Sequence, residues 1–502
     1  MNTPTATALA AALAALTPLA SFTPPTGPLP QAPEDETHQR IERYLHDRFE
    51  ETGVPGASYA IIDLEGDTYA SAWGETGGAG PVDLGTPFLW GSVAKPVTAT
   101  AAMTLVEDGL LDLDEPVAAY LPDFALADED RSDRITVRHL LEQSSGIPEG
   151  TGITDDFGHR DDPYGEAVAD LADVEPLADP GEDFAYASAN YVVLGAVIEA
   201  VAGVPYADYL RTAVLDPLGM DTVVATGDEA RQVPRGHSVV FGLPRPIKTR
   251  FDQTGPSYGY LGGTITDLQR FAEAMLDEER LAGVVTPESV ALMQTGAVEV
   301  NDTVDYGLGW RVDERNADLG TSTVWHTGGA PGFTAGVILL PELDRAVVVA
   351  QNRYGYFQDA ELVGTMLGAA RMLAGGEPAE TASDPLYPVL LVGLSLLIAA
   401  SAFLVVRTFI RMGKARKASP AALIVGAGCW TVAGLAVAYV SFVVVPGLAP
   451  SRAAFTGMAP DVAGLTTALG VAALIVAAVR IWNAVVRIRP SRTRRRSRPS
   501  RA

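Results

Sequence analysis

Residues 90 to 99 read "WGSVAKPVTA", and Ser92 and Lys95 within them form S-x-x-K. Three apart on a helix, the two side chains share one face and lie one turn apart. A serine hydroxyl is a weak nucleophile until a neighbouring base takes its proton, and an amine held out of water can do so. A guanidinium cannot, because it stays protonated. The use of lysine is informative in this chain: of 36 Lys plus Arg, only Lys95, Lys248, Lys414 and Lys417 are lysines. Pro96 suits the first turn of a helix running through "VAKPVTATAAMTLVEDG" toward Gly109. The N-terminus of that helix favours negative charge developing at Ser92. Alone the spacing is weak. Chance supplies roughly a quarter of one occurrence at this composition, and a helix-capping serine beside a solvated lysine gives the same string.

Other elements must hold this pair in place. "THQRIERYLHDRFEETG" sets Ile41, Tyr44, Leu45 and Phe49 on one helical face and stops at Gly53. "ASYAIIDLEGDTYASAW" reads as two strands around a Glu-Gly-Asp turn. Near the other end, "TAGVILLPELDRAVVVAQN" reads as a second hairpin and "DAELVGTMLGAARML" as a closing amphipathic helix. Strands at both ends with helical patterns between them predict an α/β (α+β) fold, with one antiparallel sheet flanked by helices. "DEDRSDR" (128–134) reads as a solvated loop. His38, His46, His139, His159 and His237 lack metal-ligand spacing. "GGAG" and "LGGT" lack the strand-to-helix context of a nucleotide loop. The expectation is therefore no metal and no cofactor.

Charge divides the chain. From Pro385 onward there are 15 Lys plus Arg and one acid, Asp461, a net +14; the remainder holds 21 basic and 61 acidic residues, a net −40. So acidic a body argues against nucleic acid as a partner. The chain's single cysteine, Cys429, lies in the basic part and excludes an intramolecular disulfide. Three apolar runs, uncharged over 386–406, 421–448 and 462–479, are long enough to cross a bilayer as helices, the third placed near 462–482. The first loop between them carries Arg407, Arg411, Lys414, Arg416 and Lys417 without an acid, the second only Arg452 and Asp461, and the tail is basic again. Positive loops stay inside. The protein is thus expected to be a multi-pass cell-membrane protein with a cytoplasmic C-terminus and the acidic body outside the cytoplasm. Residues 1–30 read as a leader with a Pro-rich linker, although no Lys or Arg precedes the apolar run at 4–20. Residues 31–375 read as one domain, 376–385 as a linker with few groups able to pack, and 386–502 as the membrane region.

The segment "GSVAKPVTATAAMTLVEDGLLDLDEPVAAYLPDF" resembles the nucleophile segment of the class C β-lactamase, DD-peptidase and serine esterase family. The likeness continues in order through "ITVRHLLEQSSGIP", "FAYASANYVVLGAVIEAVAG", "VLDPLGMDTV", "YGYLGGTITDLQRFAEAML", "YGLGW" and "WHTGGAPGFTAGVILLPELDRAVVVAQN", spanning about residues 38 to 373. It implies a serine β-lactamase-like fold with a mostly helical subdomain beside the sheet. It also implies Ser92 as nucleophile, Lys95 as its activating amine and Tyr186 as the proton-relaying tyrosine of a Y-x-N motif. Ser188 stands where that motif has Asn, and a hydroxyl offers fewer hydrogen-bonding groups than a carboxamide. "HTG" (His326, Thr327 and Gly328) stands where β-lactamases have Lys-Thr-Gly, and reads as an edge strand beside the nucleophile helix. The N–H groups of Ser92 and Gly329 are then expected to form an oxyanion hole. A histidine supplies little fixed charge at neutral pH, so a lactam carboxylate is held less firmly.

The resemblance thus leans toward a hydrolase of small esters or amides, with small-molecule or peptide substrates. A DD-peptidase or β-lactamase on the same site, and a catalytically silent receptor for cell-wall peptides, are the alternatives. Oligomeric state is not written in these patterns.

Overall fold

The computed structural model describes residues 36–488, apart from Ala79, Glu380, Ala382, Ser383, 413–418 and Pro450. The leader, Lys414, Arg416, Lys417 and the tail beyond residue 488 lie outside the described residues. Helix α1 (Glu36–Glu51) buries His38, Ile41, Leu45 and Phe49, an apolar stripe at helical spacing. Gly53 follows at φ +63°, the left-handed conformation that commonly ends a helix. Tyr44 is half-buried, its hydroxyl lying over Gly368 of the closing helix Asp359–Leu373.

The strands are, in chain order, β1 (Gly56–Asp63), β2 (Tyr69–Gly74), β3 (Phe88–Leu89), β4 (His237–Val240), β5 (Leu243–Pro246), β6 (Gly262–Gly263) and β7 (Val298–Asn301). β8 (Val304–Tyr306), β9 (Arg311–Asp313), β10 (Thr323–Ala330), β11 (Phe333–Leu340), β12 (Arg345–Gln351) and β13 (Arg353–Tyr354) follow. The main sheet runs β2-β1-β12-β11-β10-β9-β8-β7, and its pairs are antiparallel. Both faces of its centre are covered, so β1, β11 and β12 are almost wholly apolar rather than alternating. Tyr59 and Ile61 face α1 and the closing helix, whereas Ala60 and Ile62 face the opposite core, as the two-residue period of a strand requires. Ile61 and Ile62 each contribute about 1.5–3 kcal/mol by leaving water. On that second face sits the helical subdomain, centred on α2 (Ala94–Glu107) and the helix Ser188–Ala202.

Two expectations need correction. Residues 128–134 are not a free loop: Asp128 caps a short helix, Glu129–Ser132, while Arg131 and Arg134 both pair with Asp179. The ion pairs, invisible in a local string, order the segment. The strand carrying His326 is not an edge strand by position, because β9 pairs with it at Thr323–Trp325. Past Trp325, however, β9 has diverged, and among the described residues His326–Ala330 has β11 alone as a strand neighbour.

The helices Leu386–Met412, Pro420–Leu448 and Pro460–Ile488 are long and apolar enough to cross a membrane. They belong to the same compact unit as the sheet. Val239 of β4 packs with Tyr387, Ala459 and Val462 in a small separate core, and Ser238 Oγ donates to the Gly457 carbonyl at 2.8 Å. The linker also packs, with Thr381 lying over Gly364 and Glu377 pairing with Arg40.

Candidate active site

Gly91, at φ +56°, opens a single 3₁₀ turn, Gly91–Val93, that leads into α2. That backbone sign favours glycine, and space demands it too. A Cβ on Gly91 would lie 2.5 Å from the carbonyl carbon of Gly328. Ser92 caps neither the turn nor α2, so the capping alternative is excluded and its hydroxyl is free for other work. Lys95, one turn on, is wholly buried. Its Nζ donates to Ser92 Oγ at 3.1 Å and to the Tyr258 carbonyl at 2.9 Å, with Ser188 Oγ at 3.5 Å. It makes no ion pair among the described residues. An unpaired buried amine costs stability, which points to a role other than holding the fold.

Tyr186 lies just before the helix Ser188–Ala202, and its ring centroid is 4.8 Å from Lys95 Nζ. The same helix start places Ser188 against the amine, while the Ser188 N–H donates to Glu149 Oε2 at 2.7 Å. Burial pushes the Glu149 carboxyl above its usual range, against the opposing pull of the Ser188 amide and Lys95.

β10 closes the site from the other side. A Cβ on Gly328 would stand 2.2 Å from the Ser92 nitrogen and from the Trp90 carbonyl oxygen, so only glycine lets this strand touch the turn that carries Ser92. Gly329 is as confined, with the Tyr354 ring 2.4 Å from where its Cβ would be. Thr327 turns its methyl toward Gly336, and no hydrogen bond joins its side chain to Ser92, Lys95 or Tyr186. His326 is buried, its Nε2 3.1 Å from Tyr306 Oη and its Nδ1 2.8 Å from the Thr327 carbonyl. A neutral ring protonated on Nδ1 satisfies both contacts. Burial holds its pKa well below the usual histidine value, and Arg311 and Lys95 add to that.

Three contributors escaped the sequence reading. The Tyr258 carbonyl that fixes Lys95 is backbone, so no side-chain type announces it. Arg311 stands 5.7 Å from the Tyr186 and Tyr306 rings and 5.5 Å from Trp325, and makes no ion pair among the described residues; its place beside "YGLGW" was the available signal. Asp155, at φ +56°, accepts from Tyr260 at 2.5 Å, while its N–H donates to Tyr258 Oη at 2.7 Å. No cluster of three or more metal-ligating side chains occurs among the described residues.

A family model described as Beta-lactamase matches residues 40–367. The chain belongs to the β-lactamase family. Within that family it is 30% identical over 347 residues to "Penicillin-binding protein 4" of Amycolatopsis lactamdurans, covering 65% of this chain and 90% of the relative. The octameric penicillin-binding protein homologue from Pyrococcus abyssi superposes with a TM-score of 0.60 at 28% identity, over 70% of this chain and 80% of its own. A D-stereospecific amidohydrolase from Streptomyces sp. does so with a TM-score of 0.53 at 26% identity, over 62% of this chain and 94% of its own. This β-lactamase-family chain is a serine hydrolase with a β-lactamase-like fold.

Proposed function

We propose that the chain is a membrane-anchored serine hydrolase acting outside the cytoplasm on small esters or amides through an acyl-enzyme at Ser92. The observation that carries this reading is the buried Lys95 amine 3.1 Å from Ser92 Oγ, without a carboxylate partner. Ser92 Oγ attacks the substrate carbonyl as Lys95 takes its proton. The carbonyl oxygen becomes an oxyanion, which accepts hydrogen bonds from the Ser92 and Gly329 N–H groups. The close approach of Gly328 to Ser92 supports that pairing. Collapse breaks the bond to the alcohol or amine, which leaves with a proton relayed through Tyr186. Water then attacks the acyl-enzyme, giving up a proton to the Lys95–Tyr186 pair; the bond to Ser92 Oγ breaks, the carboxylic acid leaves and the proton returns to Ser92 Oγ. Retention of the whole constellation disfavours a silent receptor. The three apolar helices support anchoring, and the charge difference between their loops supports the outside placement.

One observation favours peptidase action as a second reading. His326 is neutral, yet Arg311 supplies an unpaired guanidinium beside Tyr186, suited to a substrate carboxylate. Turnover of p-nitrophenyl esters, a peptide ending in D-alanyl-D-alanine and a chromogenic cephalosporin separates the readings. The ester reading expects fastest turnover of the esters and little change in Arg311→Gln. The peptidase reading expects Arg311→Gln to lower kcat/KM for the peptide about tenfold or more, as for a lost charged hydrogen bond. No turnover of any, together with no adduct from a fluorophosphonate, contradicts both.

A further inference from the structure

The β4–β5 hairpin turns at Phe241 and Gly242, both at positive φ, +51° and +80°. Turns of that hand favour Asn-Gly, and a bulky aromatic at positive φ is an outlier. Phe241 is nonetheless 58% exposed and Leu243 55%, so no burial among the described residues repays the strain. The position of the turn supplies a reason. Its Phe241 N–H donates to Asp461 Oδ2 at 2.7 Å and its Gly242 N–H to Tyr387 Oη at 3.0 Å. Tyr387 and Asp461 are each the second residue of an apolar helix. The turn therefore stands at the level where those helices begin. Tyr356, 60% exposed, lies there too, its ring linked through Phe357 to Tyr387; tyrosine favours the bilayer interface.

Charge agrees with position. The stretch from Ala230 to Phe251 contains Arg231, Arg235, Arg245, Lys248 and Arg250 and no acid, within a body of net −40. Arg245 and Lys248 are exposed and make no ion pair among the described residues. Arg245 is three residues from Gly242, about 10 Å along a strand, near enough for headgroup charge to act on it.

We propose that the turn Phe241–Leu243, with Tyr356, inserts into the headgroup layer of an anionic lipid bilayer, with Arg245 meeting the lipid phosphates. The proposal rests on the reading that the three helices cross a membrane. It has a consequence for the active site. At the base of the hairpin His237 N–H donates to the Gly332 carbonyl, three residues beyond Gly329. From Gly236 to Phe241 a strand spans about 17 Å. The hairpin thus acts as a strut of fixed height between bilayer and cleft, and places membrane-bound acyl donors within reach.

The test uses the full chain with Cys429→Ser, reconstituted in phosphatidylcholine vesicles with or without phosphatidylglycerol and carrying doxyl-labelled acyl chains. An environment-sensitive fluorophore is attached at Leu243→Cys, at Val432→Cys in the second apolar helix, or at Leu177→Cys, an exposed leucine of the acidic body. In phosphatidylglycerol vesicles, quenching at 243 and 432 but not at 177 is expected. Arg245→Glu should lower the bound-to-free ratio of the turn about fivefold per unit of charge changed, whereas Lys248→Glu, at the base of the hairpin, should change it little. Quenching at 432 without quenching at 243 overturns the proposal and leaves the anchoring reading intact. No quenching at 432 overturns the anchoring reading as well. Equal quenching at 177 and 243, or quenching at 243 unchanged by removal of phosphatidylglycerol, also overturns it. An emission shift at 243 without lipid quenching assigns the turn to a protein partner and overturns it too.

Discussion

By the resemblance drawn from the sequence, His326 matches the lysine of the β-lactamase Lys-Thr-Gly motif, and its surroundings keep it neutral. Tyr306 and the Thr327 carbonyl satisfy both ring nitrogens, and burial holds the pKa well below the ordinary value of about 6.5. An unfolded chain takes up this proton first as pH falls. Stability from His326 is therefore fully present above about 6.5 and declines as pH drops toward the depressed folded value. The expected loss is about 1.4 kcal/mol per pH unit across that window. Thermal melts of wild type and His326→Asn between pH 7.5 and 5 check this: the variant should show the shallower slope. An equal slope would assign the acid sensitivity to His46, His139 and His237, whose pKa values burial also lowers.

At the scale of elements, the site depends on a strand touching a turn with nothing between them. Gly328→Ala adds a methyl that meets the Ser92 nitrogen at 2.2 Å. Forcing β10 away should cost about 1–3 kcal/mol of stability. The expected loss of kcat is at least a hundredfold, on the scale of a removed oxyanion donor, and KM should change much less. Steady-state kinetics beside a melting curve decides, and unchanged kcat would remove β10 from the mechanism. The glycines and the Ser-Lys pair were legible in the sequence because side-chain identity carries them. The Tyr258 carbonyl, the ion pairs that order residues 128–134 and the divergence of β9 from β10 were not. Those depend on groups every residue possesses, or on partners dozens of residues away.

For the whole molecule, the sheet-and-helix body and the three apolar helices were readable because hydrophobic period and run length are local properties. Their docking was not. Asp461, which reads as a lone loop acid, is buried under Tyr387 and the Phe241 amide, a meeting of residues more than 70 positions apart. The topology prediction follows from charge. Protease added to intact cells should remove the acidic body and leave a C-terminal tag protected. Loss of the tag, with the body intact, would reverse the orientation.

The central claim is that Lys95 activates Ser92, and acylation followed by intact mass tests it most directly. Lys95→Arg keeps the positive charge and a similar helix propensity, but a guanidinium cannot take the serine proton. Reaction of wild type, Lys95→Arg and Ser92→Ala with a slow-turnover ester should give one acyl adduct on the wild type and none on Ser92→Ala. On Lys95→Arg the adduct should form about 10²- to 10⁴-fold more slowly, and a melting curve beside it reads the cost of fitting the larger guanidinium into this buried site. Near-normal acylation of Lys95→Arg would contradict the account.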